Sequence, residues 1–479
     1  MFSPKNNFQV MEYLLNIFCF FSLLYFILQL SKLILKRRNQ SCYMLAYECF
    51  QPKEETKLNT DTCVRIVSRN KNLGLEQFRY LLNTMVSSGI GENTYCPKLV
   101  HEGRETCPTL KDTYEEIDEI MFDTLDNLFK KTCFSPSEID ILVVTDSLFS
   151  PIPSLTARII NRYKLREDVK VFNLAAMGCS ANLVAVDLVQ QLFKTHENSI
   201  GIIVSAQQIG PHWYSGKDEN MLFTNCLFRS GGCSMLFTNK MELKNKAILK
   251  LKHVARTHCG ADDEAYNCCH QVEDEEGFAG LQLTKCVAKS AAQSLTLNLK
   301  SIVPKIVPLS ELVRFFIVLL CNVMKRMVKK PRFNLLGGGI NLKTGIEHFY
   351  ILPSCKELID RLGKGLRLSE YDLEPSRMAL HRWGNTSVSG IWYAFGYSEA
   401  KKRLKKGDRI LMISLGSGYK CNSCVWEVMR DLSDSNVWKD CIESYPPPSL
   451  ENPFKEKYNW IHDEDLGFVR YDHSRLKIY

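Results

Sequence analysis

One stretch, residues 171–193, constrains the fold of this chain more than any other. Residues 171–174 are a short apolar run that predicts a strand, and apolar positions recurring over 183–193 predict a buried helix. A Met-Gly turn between them places Cys179 at the first position of that helix. The unpaired N–H groups of a helix start carry partial positive charge and favour a thiolate over a thiol. The pattern predicts a nucleophilic cysteine, and a cysteine that merely packs in the core is the alternative.

Composition limits the classes of protein that this chain can belong to. The net charge of +8 is spread along 479 residues without a nucleic-acid recognition motif, so it indicates a membrane surface or a phosphate-bearing substrate. The 19 cysteines lack the spacing of a secreted disulfide scaffold and indicate a reducing compartment. Cys421 and Cys424 form a CxxC pair with no second pair, so no metal site is predicted.

Residues 13–35 predict a membrane anchor. The run 14–30 carries no charge, and with its apolar flanks it approaches the roughly 20 residues needed to span hydrocarbon. Three basic residues follow at 36–38, whereas Lys5 and Glu12 are the charged side chains before the run. This bias leaves the large C-terminal part in the cytosol. No small-residue cleavage site follows, which favours a retained anchor in the endoplasmic reticulum over a signal peptide.

Beyond the anchor, helical and strand patterns alternate. Residues 75–86 and 114–131 have helical periodicity, whereas 139–145 and 200–205 are apolar runs typical of buried strands. A helix over 390–404 is predicted late in the chain. This alternation predicts a layered α/β fold.

Residues 302–330 are a second membrane candidate. The apolar run 312–320 is interrupted by Arg314, and basic residues follow it at 325–332. The uncharged core is too short to span a bilayer. Two interpretations stay open: a helix lying in the bilayer interface with its basic end toward lipid phosphates, and a buried core helix.

Six ordered motifs resemble the plant 3-ketoacyl-CoA synthases, the condensing enzymes of very-long-chain fatty acid elongation. They are NTYCP at 93–97, NLAAMGCS at 173–180, NCLFR at 225–229, RTHCGADD at 256–263, EPSRMALHRWGNT at 374–386 and GSGYKCNS at 416–423. The resemblance implies a thiolase-like fold of two similar α/β halves, each with a five-stranded sheet, and an N-terminal transmembrane helix. The expected parts are an anchor segment, a polar linker, two halves and a polar tail, at 1–38, 39–60, 61–250, 251–440 and 441–479.

The resemblance also implies a reaction. A cysteine attacks a long-chain acyl-CoA, malonyl-CoA loses carbon dioxide, and the enolate attacks the acyl-cysteine to give 3-ketoacyl-CoA. Cys179 matches the nucleophile, and Asn385 matches an asparagine whose amide donates to the oxygen that gains negative charge. Gly416 and Gly418 match a loop where backbone can approach that oxygen, with a simple turn as the alternative.

Three histidines fall on positions of the resemblance: His258, His348 and His381. Each is a candidate for the site, and for His258 a structural role is preferred. Beyond acyl-CoA and malonyl-CoA, no cofactor is expected. The resemblance implies a homodimer, further elongase subunits as partners, and a location in the endoplasmic reticulum membrane with the catalytic part facing the cytosol.

One departure from the family pattern concerns the catalytic histidine. The family reads His-Phe-Cys-Ile-His-Ala-Gly-Gly, whereas residues 348–355 of this chain read HFYILPSC. The register is fixed on both sides, so Leu352 occupies the position of the histidine expected to pair with Cys179. Ala176 and Asn182 stand where the family commonly has glycine.

Leucine can neither accept a proton from the thiol nor donate to the enolate. Loss of one such donor typically costs on the order of 10²–10³ in rate. His348 lies four residues away, about 13 Å along an extended strand, and cannot substitute. Two hypotheses follow: an active condensing enzyme, or an impaired relative that binds acyl-CoA or pairs with active synthases as a modulator.

Overall fold

In the computed structural model, the described residues are 20, 22–28, 41–327 and 339–462. Strands in these ranges are β1 Tyr43–Cys49, β2 Lys57–Leu58, β3 Thr94–Tyr95, β4 Ile141–Asp146, β5 Lys170–Ala175, β6 Ile200–Gln207, β7 Gly231–Thr238, β8 Leu249–His258, β9 Cys269–Glu273, β10 Ala279–Leu283, β11 His348–Ile351, β12 Arg409–Gly416 and β13 Lys420–Val428. Nine of them form one mixed sheet in the order β11-β12-β13-β8-β1-β7-β6-β4-β5.

Helices cover the faces of this sheet, as the alternating pattern predicts. They are α1 Thr60–Arg69, α2 Leu75–Ser88, α3 Lys98–His101, α4 Leu110–Thr132, α5 Leu155–Tyr163, α6 Ala181–Leu192, α7 Glu219–Leu227, α8 Asp263–Asn267, α9 Val287–Ile306, α10 Leu309–Met327, α11 Lys356–Leu366, α12 Glu370–Trp383, α13 Gly390–Ala400 and α14 Phe454–Tyr458. Short 3-10 turns at Gly178–Ser180 and Ser387–Ser389 precede α6 and α13.

The strand β1 corrects the prediction of a polar linker over 39–60. This strand is buried and pairs antiparallel with β7 along its length, which places it in the middle of the sheet. Its seven residues are almost all apolar, as expected of a strand covered on both faces. The polar residues that follow it, from 51 to 60, dominated the composition of the segment and hid the strand.

The sheet divides into two sets of strands that meet at β1. Strands β4, β5 and β6 are parallel, and β11 runs parallel to β12, whereas the other neighbouring pairs are antiparallel. In the described residues the first set has five strands, which are β1, β7, β6, β4 and β5. The second set has four strands instead of the expected five, and these are β8, β13, β12 and β11. Two residue pairs between β1 and β8 join the sets.

Three apolar cores fix this arrangement. One face of β4, β6 and β7 packs on α6 and α13 together with side chains from β11 and β12, so that the sheet folds around these two helices. The opposite faces pack against α4 and α5 in the first set and against α9 and α11 in the second. The central helices also bond directly, because Trp392 Nε1 donates to Asn182 Oδ1 at 2.6 Å. The side chain of Asn182 thereby links α6 to α13.

The two membrane predictions have different outcomes. Most of the predicted anchor over 13–35 lies outside the described residues. Within the described part of this segment, residues 22–28 are helical. Among the described residues, we find no helix with the length and apolar character needed to cross a membrane. Of the second candidate, 302–330, residues 302–306 end α9 and 309–327 form α10. Leu309, Val313 and Phe316 are largely exposed on α10, so that this part is not a buried core helix.

Candidate active site

The predicted nucleophile lies on a tight turn between β5 and α6. Cys179 is the middle residue of the turn Gly178–Ser180, and its side chain is half-buried. Gly178 has φ +67°, and a Cβ there would lie 2.7 Å from the backbone nitrogen of Ser417, so this position requires glycine. Ala176 also has positive φ, +55°, a conformation that costs a non-glycine residue about 1–3 kcal/mol. The strained turn presents the sulfur toward the second half of the chain.

A hydroxyl group contacts the sulfur from that second half. Ser387 Oγ donates to Cys179 Sγ at 3.2 Å. Ser147 Oγ lies 3.0 Å from Ser387 Oγ and can donate to it, since Ser387 uses its own proton on the sulfur. Ser387 has φ +51° and is buried, so its backbone is held in an unusual conformation that aims the hydroxyl at the cysteine.

Asn385 lies in the same turn as this donor. Its Oδ1 accepts from Ser387 N at 2.9 Å. Its backbone is clamped to the end of α7, donating to Leu227 O at 3.0 Å and accepting from Arg229 N at 2.9 Å. Because the amide oxygen is used in this way, the Nδ2 group is the part of the side chain left to donate to a reacting oxygen.

The glycine loop after β12 packs directly on the nucleophile turn. A Cβ on Gly416 would lie 2.9 Å from Ser180 N, and Gly418 has φ +74°. Ser414 Oγ also donates to the carbonyl of Cys179 at 3.2 Å. The structure therefore brings four predicted residues together at one place: Cys179, Asn385, Gly416 and Gly418.

Burial dominates the acidity of the nucleophile. Removal from water raises the pKa of the Cys179 thiol, and the hydrogen bond from Ser387 and the nearby charge of Lys420 lower this pKa in part. The net direction is opposite to that expected from the helix start alone. A thiolate at this position therefore depends on its neighbours.

The three predicted histidines form hydrogen bonds with other groups. His348 Nε2 lies 2.9 Å from Asp408 Oδ2, at the start of β11. The ring nitrogen Nδ1 of His381 lies 3.0 Å from the hydroxyl of Tyr445. His258 is exposed and accepts from Gly260 N at 3.1 Å, which fits the structural role preferred for it.

Leu352 follows β11 and lines the wall beside the Asn385 turn. Its backbone N–H donates to Ile413 O at 2.9 Å, and its side chain is buried. A Cβ placed on Gly390 would lie 3.5 Å from Leu352 Cδ1 and 3.4 Å from Thr386 Oγ1. At the family position of the histidine, this wall is therefore apolar.

Two residues of this site were missed by sequence reasoning. Ser387 is an ordinary turn residue in the sequence, and its distance of 208 positions from Cys179 gave no indication of contact. Lys420 belongs to the GSGYKCNS motif, but its role depends on where its ammonium group lies. A lysine in a strand whose one other charged residue is Glu427 was the available signal for it.

Comparison with known families identifies two matching regions. Residues 34–324 match the family described as FAE1/Type III polyketide synthase-like protein. Residues 343–428 match the C-terminal part of 3-oxoacyl-[acyl-carrier-protein] synthase III. Together these matches cover both sets of strands.

Comparison with individual proteins extends over nearly the whole chain. The chain is 55% identical to 3-ketoacyl-CoA synthase 19 of Arabidopsis thaliana, covering 93% of this chain and 97% of that protein. It is 50% identical to 3-ketoacyl-CoA synthase 12 of the same plant, covering 94% and 97%. A solved type III polyketide synthase domain of Steely1 from Dictyostelium has a TM-score of 0.64 at 13% identity, covering 81% of this chain and 99% of that one. This likeness supports a thiolase-like α/β fold.

Proposed function

The chain belongs to the 3-ketoacyl-CoA synthase family, and we propose that it condenses a long-chain acyl-CoA with malonyl-CoA, as in very-long-chain fatty acid elongation. The products are 3-ketoacyl-CoA, carbon dioxide and free CoA. The observation that carries this proposal is a chain of hydrogen bonds between two turns, one from each half. Ser387 donates to the sulfur of Cys179 through its hydroxyl and to Asn385 through its backbone N–H.

The first step forms an acyl-enzyme. The Cys179 thiolate attacks the carbonyl carbon of the acyl-CoA, and the carbonyl oxygen gains negative charge. Collapse of this intermediate breaks the bond to the CoA sulfur, which leaves with the electron pair and takes a proton from solvent. Asn385 Nδ2 is the donor available to the developing oxyanion, and Gly418 lets backbone approach the same region.

The second step forms the new carbon–carbon bond. Malonyl-CoA loses carbon dioxide, and the electrons of the broken bond form an enolate. The enolate carbon attacks the acyl-cysteine carbonyl, and the Cys179 thiolate leaves. Asn385 again supplies an amide donor, while the buried Leu352 contributes no second donor from its wall.

An apolar cavity next to this site is suited to a hydrocarbon chain. A cleft that is partly open to solvent lies between α1, α2, α7 and α14, and Phe78, Leu82 and Met85 are among its lining residues. Its lining also includes Cys226 and Arg229, and the backbone of Leu227 and Arg229 is hydrogen-bonded to Asn385. The backbone segment 226–229 therefore separates the cavity from Asn385, the proposed oxyanion donor.

The proposed reaction is testable in microsomes containing the full chain. Incubation with a long-chain acyl-CoA and labelled malonyl-CoA should yield labelled 3-ketoacyl-CoA above the level of microsomes lacking the chain. Because the first step releases CoA before condensation, acyl transfer to Cys179 can be followed separately by mass spectrometry. Absence of both acyl-enzyme and product would contradict the proposal.

We further propose that the chain is anchored in the endoplasmic reticulum membrane with its catalytic part in the cytosol. The uncharged run 14–30 supports this, as does the exposed apolar side of α10 at Val313, Phe316 and Ile317. The basic residues at 325–332 follow the apolar run 312–320 in the sequence and suit lipid phosphates. The chain should stay with the membranes after an alkaline carbonate wash, and its release into the supernatant would contradict an anchor.

We also propose a homodimer, joined through the edge of the sheet at β5. This strand is the outermost of its set, and Val171 on it is 40% exposed, whereas Phe349 to Ile351 at the other edge, β11, are buried. An exposed edge strand offers unpaired backbone groups to a second chain. Further elongase subunits remain proposed partners from the family resemblance.

Val171→Asp is expected to convert the dimer into a monomer, since it places a charge at the proposed interface. Light scattering of the detergent-solubilised chain measures the mass. Leu110→Asp, which changes an exposed leucine at the start of α4, is the matched control and should remain dimeric. A monomeric native chain or a dimeric Val171→Asp variant would contradict this interface.

A second candidate function follows from Leu352. In the described residues, the hydrogen bonds of His258, His348 and His381 all lead to groups other than Cys179. A chain that binds acyl-CoA without efficient turnover would act as a modulator by pairing with active synthases. Co-expression with an active synthase distinguishes this candidate, because the chain should then change the partner's product yield even when its own Cys179 is replaced.

A further inference from the structure

Lys420 is a buried lysine next to the nucleophile turn. It is the first residue of β13, and its side chain is only 8% exposed. Its Nζ donates to the carbonyl of Met177 at 3.0 Å and lies 3.8 Å from the position of a Cβ on Gly418. The ammonium group therefore sits between the turn that carries Cys179 and the glycine loop.

No carboxylate neutralises this charge in the described part of the chain. The salt bridges there leave Lys420 without an acidic partner, although an ammonium group can donate three hydrogen bonds and Met177 accepts one. Isolated buried charges are costly and are normally paired. A negative charge that forms at this site during the reaction would complete the pairing of Lys420.

The charged and titratable groups around Lys420 indicate which of them can carry a negative charge beside it. Arg256 on β8 is paired with Asp187 at 3.0 Å, and His258 is opposite Lys420 in the strand register. The thiol of Cys269 on β9 and the phenol of Tyr419 complete the surroundings, and burial raises the pKa of both. Cys179, with a hydroxyl donor already on its sulfur, is the group best placed to carry the negative charge.

We propose that Lys420 is a positioning residue whose charge favours the thiolate of Cys179, at a site where Leu352 occupies the family position of the histidine. The inference rests on the proposed function for the use of that thiolate. Lys420 keeps its proton throughout and acts by charge, as cations beside reactive cysteines do. The negative charge leaves with the CoA sulfur on acylation and returns to Cys179 after condensation.

At both Lys420 and Cys179, burial and the charge of the other group shift the pKa in opposite directions. Burial lowers the pKa of Lys420, while the neighbouring Cys179 raises this pKa in part. Burial raises the pKa of Cys179, while Lys420 lowers it in part. Each group therefore favours the charged form of the other.

Alkylation kinetics test the pair without any need for condensation. The full chain is treated with iodoacetamide from about pH 6 to 11, a range that extends past the ordinary thiol pKa because burial raises the pKa of Cys179. The labelling of each cysteine is followed by mass spectrometry. For Lys420→Met, we expect labelling of Cys179 at pH 7 to slow about tenfold and its pH inflection to rise by about one unit, as for loss of one nearby opposite charge. Lys420→Arg keeps the charge and should stay within about threefold of the native rate.

Two other cysteines serve as internal controls. Cys133 is exposed and should label equally in all variants, whereas Cys424 is buried and becomes labelled if the chain unfolds. The proposal is overturned if Lys420→Met leaves the Cys179 profile unchanged while Cys424 stays protected. It is also overturned if Lys420→Arg slows labelling as much as Lys420→Met with Cys424 protected, since charge would then not be the cause. A chain that labels as expected but yields no 3-ketoacyl-CoA would contradict the proposed function alone.

Discussion

Replacement of Cys179 by alanine should reduce condensation at least about 10³-fold, because the proposed reaction passes through an acyl group on this sulfur. The sulfur is the atom to which Ser387 donates, and the turn that presents it is packed on the glycine loop. Alanine fits this turn without a clash, so the fold should survive the change. The measurement is labelled 3-ketoacyl-CoA formed in microsomes, together with the acylated peptide detected by mass spectrometry.

The matched control for this variant is Cys107→Ala, which removes an exposed thiol far from the described hydrogen bonds of the site. It should match the native chain in both product and acyl-enzyme. If Cys179→Ala still forms product at the native rate, another nucleophile carries the acyl group and the site has been assigned to the wrong turn.

Replacement of Leu352 by histidine should raise the condensation rate about 10²–10³-fold, the typical worth of one donor to a developing oxyanion. The leucine is buried beside Gly390 at the end of the turn that carries Asn385, and an imidazole is similar in size. At the position where the family resemblance places the catalytic histidine, an imidazole is expected to exchange a proton with the thiol and to donate to the enolate. The variant should also acquire a rate inflection near the ordinary imidazole pKa of about 6.5.

Two further variants separate the parts of this effect. Leu352→Gln supplies an amide donor that cannot take a proton, and it should recover part of the gain without the new inflection. Leu352→Ala creates only a cavity and should give no gain. If the native chain already condenses efficiently and Leu352→His changes nothing, the impaired-site hypothesis is wrong, and the donors already present at Cys179 suffice.

The sequence correctly predicted elements whose backbone conformation depends on nearby residues. The strand, turn and helix around Cys179 follow from residue types within about 20 positions, because apolar periodicity and glycine restrict the backbone directly. The same reasoning overlooked β1 within the predicted linker, since the six apolar residues of this strand were averaged with polar neighbours. It also gave no indication that β5 is an exposed edge strand, because strand order is not encoded in the strand itself.

The amino-acid sequence by itself determined which chemical groups this protein possesses: a cysteine after a tight turn, an asparagine in its motif, and a leucine at the histidine position. Only the tertiary structure decided what surrounds the sulfur. Packing of α6 against α13 brings Ser387 to Cys179, and the β12–β13 pair carries Lys420 to the same turn. These contacts join residues more than 200 positions apart, and their geometry depends on sheet register and helix packing rather than on local preference.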